Sequence, residues 1–404
     1  MSFRSWFANL QVARTFDRLQ QEWRRSPRRR RASYSCAPAE VLEVRSLLSS
    51  YTAASVSALV GDINAANANG GTNTITLAAN TTFDLTAVNN TTNGANGLPV
   101  ISGKNGADNL TIFGNGATID RSTAAGTPAF RLFDVASGNS LTLHNVTLQG
   151  GKTLGFFGAA AGGAIDNQGT LVLSNVMVQN NAALGVPGRG QDAAGGGIWS
   201  NGSLTLENST VFQANSAVGS NEPPISSKNG GSAFGGAICI AGGTASITGS
   251  FFGAYNQLHG NFAEGGVGGA GGRDGSAYGG AIYVAGGTVT LNADTVGNQG
   301  SYGDSSNVAQ GPSLSPTGRG YGGGLYMAGG NVTLTNDSIR FNVAGGYFGG
   351  GVAWGGGYGS FGYGGGIFVA PGATVYLDSF TAANTYGNIA NWYANIDGKY
   401  ILRN

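Results

Sequence analysis

A glycine-punctuated repeat constrains the fold of this chain more than any other feature of its sequence. The motif Gly-Gly-(Ala/Gly)-(Ile/Leu) occurs six times, and its apolar last residue is Ile165, Ile198, Ile238, Ile282, Leu325 and Ile367. Successive copies are 33, 40, 44, 43 and 42 residues apart. Repeats of this length are typical of solenoids and propellers, in which each unit packs on its neighbours instead of forming a core alone.

An asparagine follows each motif: Asn181, Asn215, Asn261, Asn298, Asn342 and Asn384. Five of the six intervals from motif to asparagine are 16 or 17 residues, whereas the distance onward to the next motif varies from 17 to 27. A constant part followed by a variable one is expected when a stacked core carries loops on one side. We expect these asparagines to form a hydrogen-bonded ladder along the stack, or to adopt left-handed turn conformations.

The constant part has a period of two. Between Gly320 and Asn342, apolar residues alternate in three short runs, Leu325/Met327, Val332/Leu334 and Ile339/Phe341. Each run predicts a short strand with one inward face. The sequence therefore predicts an all-β, right-handed, single-stranded parallel β-helix with three strands per coil. The competing fold is a β-propeller, whose blades need four strands.

The termini differ from the repeats. Ser55 can cap a helix in which Val56, Leu59, Val60 and Ile63 share one face. We divide the chain into an Arg-rich leader (residues 1–50) and a β-helix domain (51–404). Within the domain we expect an amphipathic helical cap (51–72), irregular first coils (73–160), the repeats (161–387) and a C-terminal closing segment (388–404).

Composition narrows the alternatives. The chain has 73 glycines but only 10 prolines and no Gly-X-Y period, which excludes collagen. Only 10% of the residues are charged, and Val/Ile/Thr runs recur, so we predict an ordered β protein and not a disordered chain. Two cysteines are too few for a disulfide framework.

Charge is unevenly distributed. Residues 1–50 carry ten Arg against four acidic residues, which leaves eleven basic (21 − 10) and sixteen acidic (20 − 4) residues for the rest. The mildly acidic domain argues against nucleic acid as a partner. The cluster Arg24–Arg31 could form a nucleic-acid-binding arm, but we favour a targeting leader. No run is long and apolar enough for a membrane span.

Two resemblances add to this interpretation. The stretch LEVRSLLS, Leu42 to Ser49, is similar to the Arg-rich leader of many surface and secreted bacterial proteins, which implies export. The sequence GGAI at Gly162–Ile165, Gly235–Ile238 and Gly279–Ile282, with FQAN at Phe212–Asn215, resembles the repeats of the polymorphic outer membrane proteins over about residues 110–390. That resemblance implies a right-handed, pectin-lyase-like β-helix that acts in adhesion at the cell surface.

Two aspartates could perform chemistry. Asp294 and Asp337 each lie three residues after a leucine in successive repeats, so their strands would be about 4.8 Å apart. Paired carboxylates with Arg340 nearby would suit a polysaccharide lyase or glycoside hydrolase. Both residues also lie at predicted bends, where aspartate is an ordinary turn former. We favour the turn role and expect no catalytic residue.

No metal or cofactor is expected. His144 and His259 have no second ligand at metal spacing. The stretch GGAGGRDG, residues 268–275, is similar to a calcium-binding nonapeptide, but its aspartate is out of register and the loop does not repeat it.

Two outward-facing rows could bind a ligand. The residue after the motif is aromatic at Trp199, Tyr283, Tyr326 and Phe368. Their ring faces would form a flat strip suited to sugar rings, unless the glycine-rich loops cover it. The second row consists of Thr205, Ser246, Thr290 and Thr333. It could order water against ice, or reflect the preference of threonine for solvated strands.

We therefore expect an exported, non-catalytic protein, extracellular or on the outer cell surface, that acts in adhesion. Its expected partner is a cell-surface glycan, an extracellular polysaccharide or another surface protein, with neither nucleic acid nor a transmembrane segment involved. One alternative is a polysaccharide lyase or glycoside hydrolase on the same fold. A second is a structural envelope protein.

Overall fold

The computed structural model describes residues 49–103, 108–155, 158–254, 260–298, 306–312, 317–345 and 361–403. The predicted leader lies outside these residues except for Ser49 and Ser50, and so does His259. Ser49 and Ser50 begin the first strand, Ser49–Ala53. The strand therefore starts two residues before the predicted domain boundary.

The predicted fold is confirmed: the chain is a parallel β-helix built from four parallel sheets. Sheet 1 has eight strands and contains the last residue of every Gly-Gly-x-Ile/Leu motif. Its strands are Phe133–Val135, Ile165–Asn167, Ile198–Ser200, Ile238–Ile240, Ile282–Val284, Leu325–Met327, Ile367–Val369 and Ile396–Asp397. The motif residues are direct register partners, as Ile282, Leu325 and Ile367 illustrate.

Sheet 2 has eighteen strands, because it contains both the second and the third strand of each coil. The second-strand positions are Ser49–Ala53, Gly71–Leu77, Asp108–Arg121, Ser140–Gln149, Thr170–Ser174, Ser203–Glu207, Thr244–Thr248, Thr288–Asn292, Gly330–Thr335, Ala373–Asp378 and Ile401–Arg403. The third-strand positions are Thr82–Leu85, Met177–Gln179, Val211–Gln213, Phe251–Phe252, Thr295–Gly297, Ser338–Arg340 and Thr385–Tyr386. The strands Asp108–Arg121 and Ser140–Gln149 run through both positions.

Sheets 3 and 4 have six strands each and arise from the glycine-rich remainder of the repeat. Sheet 3 comprises Lys152–Leu154, Ala182–Leu184, Ser216–Val218, Phe262–Glu264, Val308–Gln310 and Val343–Ala344. Sheet 4 comprises Ala160–Ala161, Ala193–Ala194, Ala233–Phe234, Ala277–Tyr278, Arg319–Tyr321 and Phe361–Tyr363. A repeat coil thus has five short strands: the three predicted ones and two more.

The two additional strands are absent from the prediction because they are short and have small inward residues. A separate buried cluster between sheets 3 and 4 consists of alanines: Ala160, Ala183, Ala193, Ala217, Ala233, Ala263, Ala277 and Ala309. Two- or three-residue strands around a single alanine show no apolar alternation. The main core lies between sheets 1 and 2 and consists mostly of stacked Ile, Leu, Val and Phe side chains.

A helix, α1 (Val56–Asn69), covers the N-terminal end of the main core. Ser55 caps it by accepting a hydrogen bond from the Ala58 amide at 3.2 Å. Leu59, Ile63 and Ala66 are its buried residues. The predicted cap (51–72) contains this helix together with strand residues at both its ends. A second, five-residue helix, α2 (Ser379–Ala383), is capped by Asp378.

No helix in the described ranges is long and apolar enough to cross a membrane.

The first glycine of the motif makes the corner between sheets 4 and 1. In all six repeats it has a positive φ, for example 71° at Gly279. A Cβ atom on Gly279 would lie 2.2 Å from the Ile282 carbonyl oxygen. The corner therefore requires glycine twice over, for its left-handed conformation and for the absence of a side chain.

We predict that Gly279→Ala lowers the free energy of unfolding by about 2–3 kcal/mol, because alanine combines a left-handed backbone with a steric clash. Chemical denaturation followed by circular dichroism measures the change. Gly286→Ala is the matched control, since a Cβ atom there meets nothing within 4 Å. An equal loss for both variants would contradict this account of the corner.

Candidate functional site

Two columns of aromatic side chains run side by side along the axis. Tyr283, Tyr326 and Phe368 are register partners on the outer face of sheet 1. A second column, on sheet 4, was not predicted from the sequence: Phe234, Tyr278, Tyr321 and Tyr363. We call these seven residues the aromatic ridge. The glycine corner joins each sheet 4 strand to the next sheet 1 strand, which brings the two columns together.

The rings of the ridge stack within each column and interlock between columns. Within a column, neighbouring centroids are 5.1–5.4 Å apart and ring planes differ by at most 13°. Between columns the contacts are edge-to-face, for example Tyr278–Tyr326 at 5.0 Å and 72°. Both arrangements are favourable geometries for aromatic pairs.

This packing corrects the expected flat strip of ring faces. Strands of neighbouring coils are about 4.8 Å apart, close to the stacking distance, so each face covers the next ring along the axis. All seven rings of the ridge are half-buried, and their stacked faces are not free to bind a flat ligand. Burial raises the pKa of Tyr283 to about 12, so its hydroxyl remains protonated and able to donate a hydrogen bond at neutral pH.

Trp199 lies in the same row but is separated from the ridge. Its register partner toward the ridge is Cys239, a buried thiol, and Tyr283 follows one coil later. At the other end Trp392 stacks on Tyr363 with centroids 4.9 Å apart. Arg319 lies beside this end and donates a hydrogen bond from Nη1 to the Tyr363 hydroxyl at 3.3 Å.

A buried ladder of asparagine side chains runs along the axis, between the third strands and sheet 3. Each Nδ2 donates to the Oδ1 of the next member at 2.9–3.0 Å, in the order Asn181, Asn215, Asn261, Asn307, Asn342 and Asn388. Each also donates to a carbonyl of the preceding coil, as Asn261 does to Phe212 O at 2.9 Å. The ladder thus satisfies buried amides that would otherwise be costly to desolvate.

The structure corrects two predicted members of this ladder. Asn307 and Asn388 hold the places expected for Asn298 and Asn384. Asn298 directly follows a third strand. Asn384 caps α2 and accepts a hydrogen bond from Arg340. Each of the six observed members has an alanine two residues later, and the residues that follow it pair in sheet 3. The signal available in the sequence was therefore Asn-x-Ala.

Asp294 and Asp337 are register neighbours, as predicted from their spacing, but both are buried at corners of sheet 2. The Asp294 carboxylate accepts backbone hydrogen bonds from Ser250 and Asn292 at 2.7 and 3.0 Å. The Asp337 carboxylate accepts from Asp294 and Thr335 at 2.8 and 3.0 Å. Every carboxylate oxygen of the pair therefore has a main-chain donor, and this arrangement holds the corners.

Arg340 does not complete a catalytic group with these aspartates. Its guanidinium lies over the Tyr386 ring, 4.6 Å from the centroid, and contacts Asn384. Burial raises the pKa of Asp294 to about 7 and that of Asp337 to about 8, and the charge of Asp294 adds to the rise at Asp337.

A buried ionic cluster, which was not predicted from the sequence, lies at the N-terminal end of the sheet 1 row that contains Trp199. Asp134 and Asp166 are register partners on adjacent strands, and Arg131 forms a salt bridge with Asp166 at 3.1 Å. Asn93 donates to Asp134 at 3.2 Å. Burial, reinforced by the charge of Asp166, raises the pKa of Asp134 to about 6. Asp134 lies in an irregular coil without the motif, so no spacing related it to Asp166.

The other residues singled out in the sequence do not come together in one site. His144 stacks on Phe113 at 5.1 Å. Asp274 accepts hydrogen bonds from the Gly268 amide of its own loop and from the Thr317 hydroxyl of the following repeat. Thr205, Ser246, Thr290 and Thr333 form a register row on sheet 2. Within the described ranges no group of three or more His, Cys, Asp or Glu residues could hold a metal ion.

Comparison of the chain with protein-family models, with curated proteins and with solved structures gave no match.

We predict that Asn261→Ala destabilises the protein by about 2–5 kcal/mol, because it removes buried hydrogen bonds on both sides of this ladder position. The Asn215 main-chain N–H and one Asn215 Nδ2 hydrogen lose their acceptor, and the Phe212 carbonyl loses one of its two donors. The readout is the midpoint and slope of urea denaturation. Asn331→Ala, on an exposed position of the strand Gly330–Thr335, is the control and should change stability by less than about 0.5 kcal/mol. Similar effects of both changes would argue against a stabilising ladder.

We also predict that stability falls as pH rises from about 4 to about 8. A raised carboxyl pKa means that the folded state binds the proton more tightly than the unfolded state does. The resulting stability is complete below the unfolded pKa near 4 and is lost through the folded values of about 7 and 8. The expected loss is several kcal/mol, since each unit of difference between the folded and unfolded pKa corresponds to about 1.4 kcal/mol, and it is measured by denaturation at fixed ionic strength.

The double variant Asp294→Ser, Asp337→Ser should reduce this pH dependence. Ser250 and Thr210 occupy the same corner position in earlier coils, and the Thr210 hydroxyl accepts from the Val176 amide at 3.4 Å. Serine therefore suits the corner and does not titrate. A variant whose stability keeps the full slope of the parent protein would exclude these aspartates as its cause.

Proposed function

We propose that this protein is an exported, non-catalytic β-helix that binds an extended polysaccharide or a cell-surface glycan along the aromatic ridge. The observation that carries the proposal is the continuity of the ridge. Seven half-buried rings follow one another in two columns at the spacing of the coils. A linear site with a regular repeat suits an extended polymer better than a compact small molecule.

The chemistry of the ridge favours an oxygen-rich polymer. The edges of aromatic rings carry partial positive charge, and because the faces are stacked, we expect the exposed part of each half-buried ring to be its edge. The hydroxyls of Tyr283, Tyr326 and Tyr363 can donate to and accept from sugar hydroxyls. Because the rings support each other by stacking, they are ordered before a ligand arrives, which lowers the entropic cost of binding.

Export and surface location are part of the same proposal. The leader-like stretch LEVRSLLS and the likeness of the repeats to polymorphic outer membrane proteins both favour an extracellular or cell-surface protein that acts in adhesion. Other surface proteins are a further class of partner. Nucleic acid is not a proposed partner, because the domain is sparsely charged and mildly acidic.

The alternatives make different demands on the residues. A polysaccharide lyase or glycoside hydrolase built on Asp294 and Asp337 would have to expose carboxylates whose four oxygens accept main-chain hydrogen bonds. A structural envelope protein would need the ridge only for stability. The half-buried rings serve packing in either case, so binding must be measured directly.

We expect the double variant Tyr283→Ser, Tyr326→Ser to weaken binding of the recognised polysaccharide at least about tenfold, which corresponds to about 1.4 kcal/mol. A panel of neutral and uronate glycans, probed by array and titration calorimetry, identifies the ligand. Tyr376→Ser on sheet 2 is the control, because it removes a half-buried tyrosine from a different sheet and should leave binding unchanged.

Two results would overturn the proposal. The first is a panel without binding although circular dichroism shows the native fold, which would favour the structural alternative. The second is release of shortened or unsaturated sugars that Asp337→Ala abolishes, which would establish an enzyme.

A further inference from the structure

A cavity of about 450 Å³ lies where sheets 3 and 4 begin. The first strands of these sheets, Lys152–Leu154 and Ala160–Ala161, form one part of its wall. The other part comes from the irregular coils, around Gly94 and Phe130. The Lys152 amide donates to Phe130 O at 2.9 Å, which joins the two parts. The volume lies within the range of small-molecule sites.

The alanine column of sheet 3 ends at this cavity with a threonine. Thr153 holds the position that is alanine in the five coils that follow, at Ala183, Ala217, Ala263, Ala309 and Ala344. Thr153 lines the cavity and is 6% exposed, and its hydroxyl has no hydrogen-bond partner among the described residues. A buried hydroxyl without a partner is unfavourable, whereas alanine has no such cost. The threonine therefore points to a polar group that binds in the cavity.

Arg131 provides a second unpartnered donor at the same cavity. Its side chain is 3% exposed, and its Nε has no hydrogen-bond partner among the described residues. The guanidinium is held in place, because Nη1 donates to Asn93 O at 3.0 Å and Nη2 donates to Ala161 O at 3.1 Å. It also forms the salt bridge with Asp166. A donor that is fixed in this way loses little entropy when a ligand accepts its hydrogen bond.

The charge at the cavity is positive. Two of the eleven basic residues of the domain, Arg131 and Lys152, line it, and no acidic residue is among the described residues that do. Asp134 and Asp166 lie beside Arg131 and offset its charge. Lys152 is half-buried, and in the part of the chain that the structure describes no acidic side chain forms a salt bridge with its ammonium. Lys152 therefore supplies an uncompensated positive charge, which suits a ligand with one negative charge.

The donors favour a carboxylate as the charged group of this ligand. An ammonium and a guanidinium donate hydrogen bonds and accept none, and a carboxylate has two oxygens that accept. A phosphate monoester carries close to two negative charges at neutral pH, which a single uncompensated cation matches less well. A carboxylate alone fills only a small part of the cavity. Thr91, exposed at its wall, adds a hydroxyl that can bind other polar groups of a larger ligand.

We propose that this cavity binds a sugar acid, whose carboxylate accepts hydrogen bonds from Arg131 Nε and the Thr153 hydroxyl and is attracted by the charge of Lys152. The site is separate from the aromatic ridge, because no ridge residue is among the described residues that line the cavity. In the sheet 4 row, Ala161 at the cavity precedes Phe234, the first ring of the ridge, by two coils. Two strand spacings correspond to about 10 Å.

Titration calorimetry of the full chain with free galacturonate and glucuronate tests the proposal. We expect at least one of them to bind at least about tenfold more tightly than the corresponding neutral sugar, galactose or glucose. The affinity should fall as the salt concentration rises, because the attraction by Lys152 is screened. Equal affinity for the neutral sugar, or tighter binding of glucose 1-phosphate, would overturn the assignment of a carboxylate ligand.

Thr153→Ala is the most informative variant, because alanine is the residue that this position has in the following coils. The variant should unfold at the same temperature as the parent protein or at a higher one, since it loses an unpartnered hydroxyl, and should bind the sugar acid about five- to tenfold more weakly. Lys152→Met keeps the apolar stem without the charge and should weaken binding at least about tenfold. Lys399→Met, which removes an exposed lysine elsewhere, is the matched control and should leave binding unchanged.

Three further results would overturn the proposal. The first is a folded protein that binds neither sugar acid. The second is binding that both Thr153→Ala and Lys152→Met leave unchanged. The third is loss of sugar-acid binding in the double variant Tyr283→Ser, Tyr326→Ser, which would assign the ligand to the ridge. Unchanged binding in that double variant, together with loss in the cavity variants, would establish the cavity as a second site.

Discussion

Parallel pairing between successive coils is the interaction on which the rest of this structure depends. It places residues 33 to 44 positions apart in the sequence next to one another in space, as with Ile165, Ile198 and Ile238. A side chain in one coil therefore meets the equivalent side chain of the next. The features that recur from coil to coil are consequently columns, and the properties of a column follow from the residue type that fills it.

Three kinds of column stabilise the fold in different ways. Stacked aliphatic side chains between sheets 1 and 2 bury apolar area, which supplies the main favourable free energy. The asparagine ladder satisfies polar groups inside the coil, each amide using both hydrogens. Alanines between sheets 3 and 4 allow two sheets to approach closely. Glycine corners connect these layers where no side chain could fit.

The same stacking decides what the surface can do. Aromatic residues in register must lie about one strand spacing apart, so their faces are used to hold each other and their edges are left for partners. Carboxylates in register lose their independence in a similar way, because Asp337 accepts a hydrogen bond from the Asp294 main chain. Repetition therefore builds long continuous surfaces more readily than it builds isolated reactive groups.

Much of the fold was accessible from the sequence because the motif and the period-two pattern are local. They predicted the β-helix, the register of the sheet 1 residues and four of the six ladder asparagines, Asn181, Asn215, Asn261 and Asn342. They also predicted that Asp294 and Asp337 would be neighbours. Each of these features depends only on which residues precede or follow the glycine corner within a short distance along the chain.

Only the tertiary structure determined which residues are in register after each variable segment. Insertions after the third strand moved the ladder position from Asn298 to Asn307, and α2 moved it from Asn384 to Asn388. The second aromatic column belongs to two- and three-residue strands that follow such segments. Counting residues from a motif gives the wrong register wherever a loop changes length. Main-chain pairing between coils determines the actual register, and only the folded structure determines how the side chains are oriented.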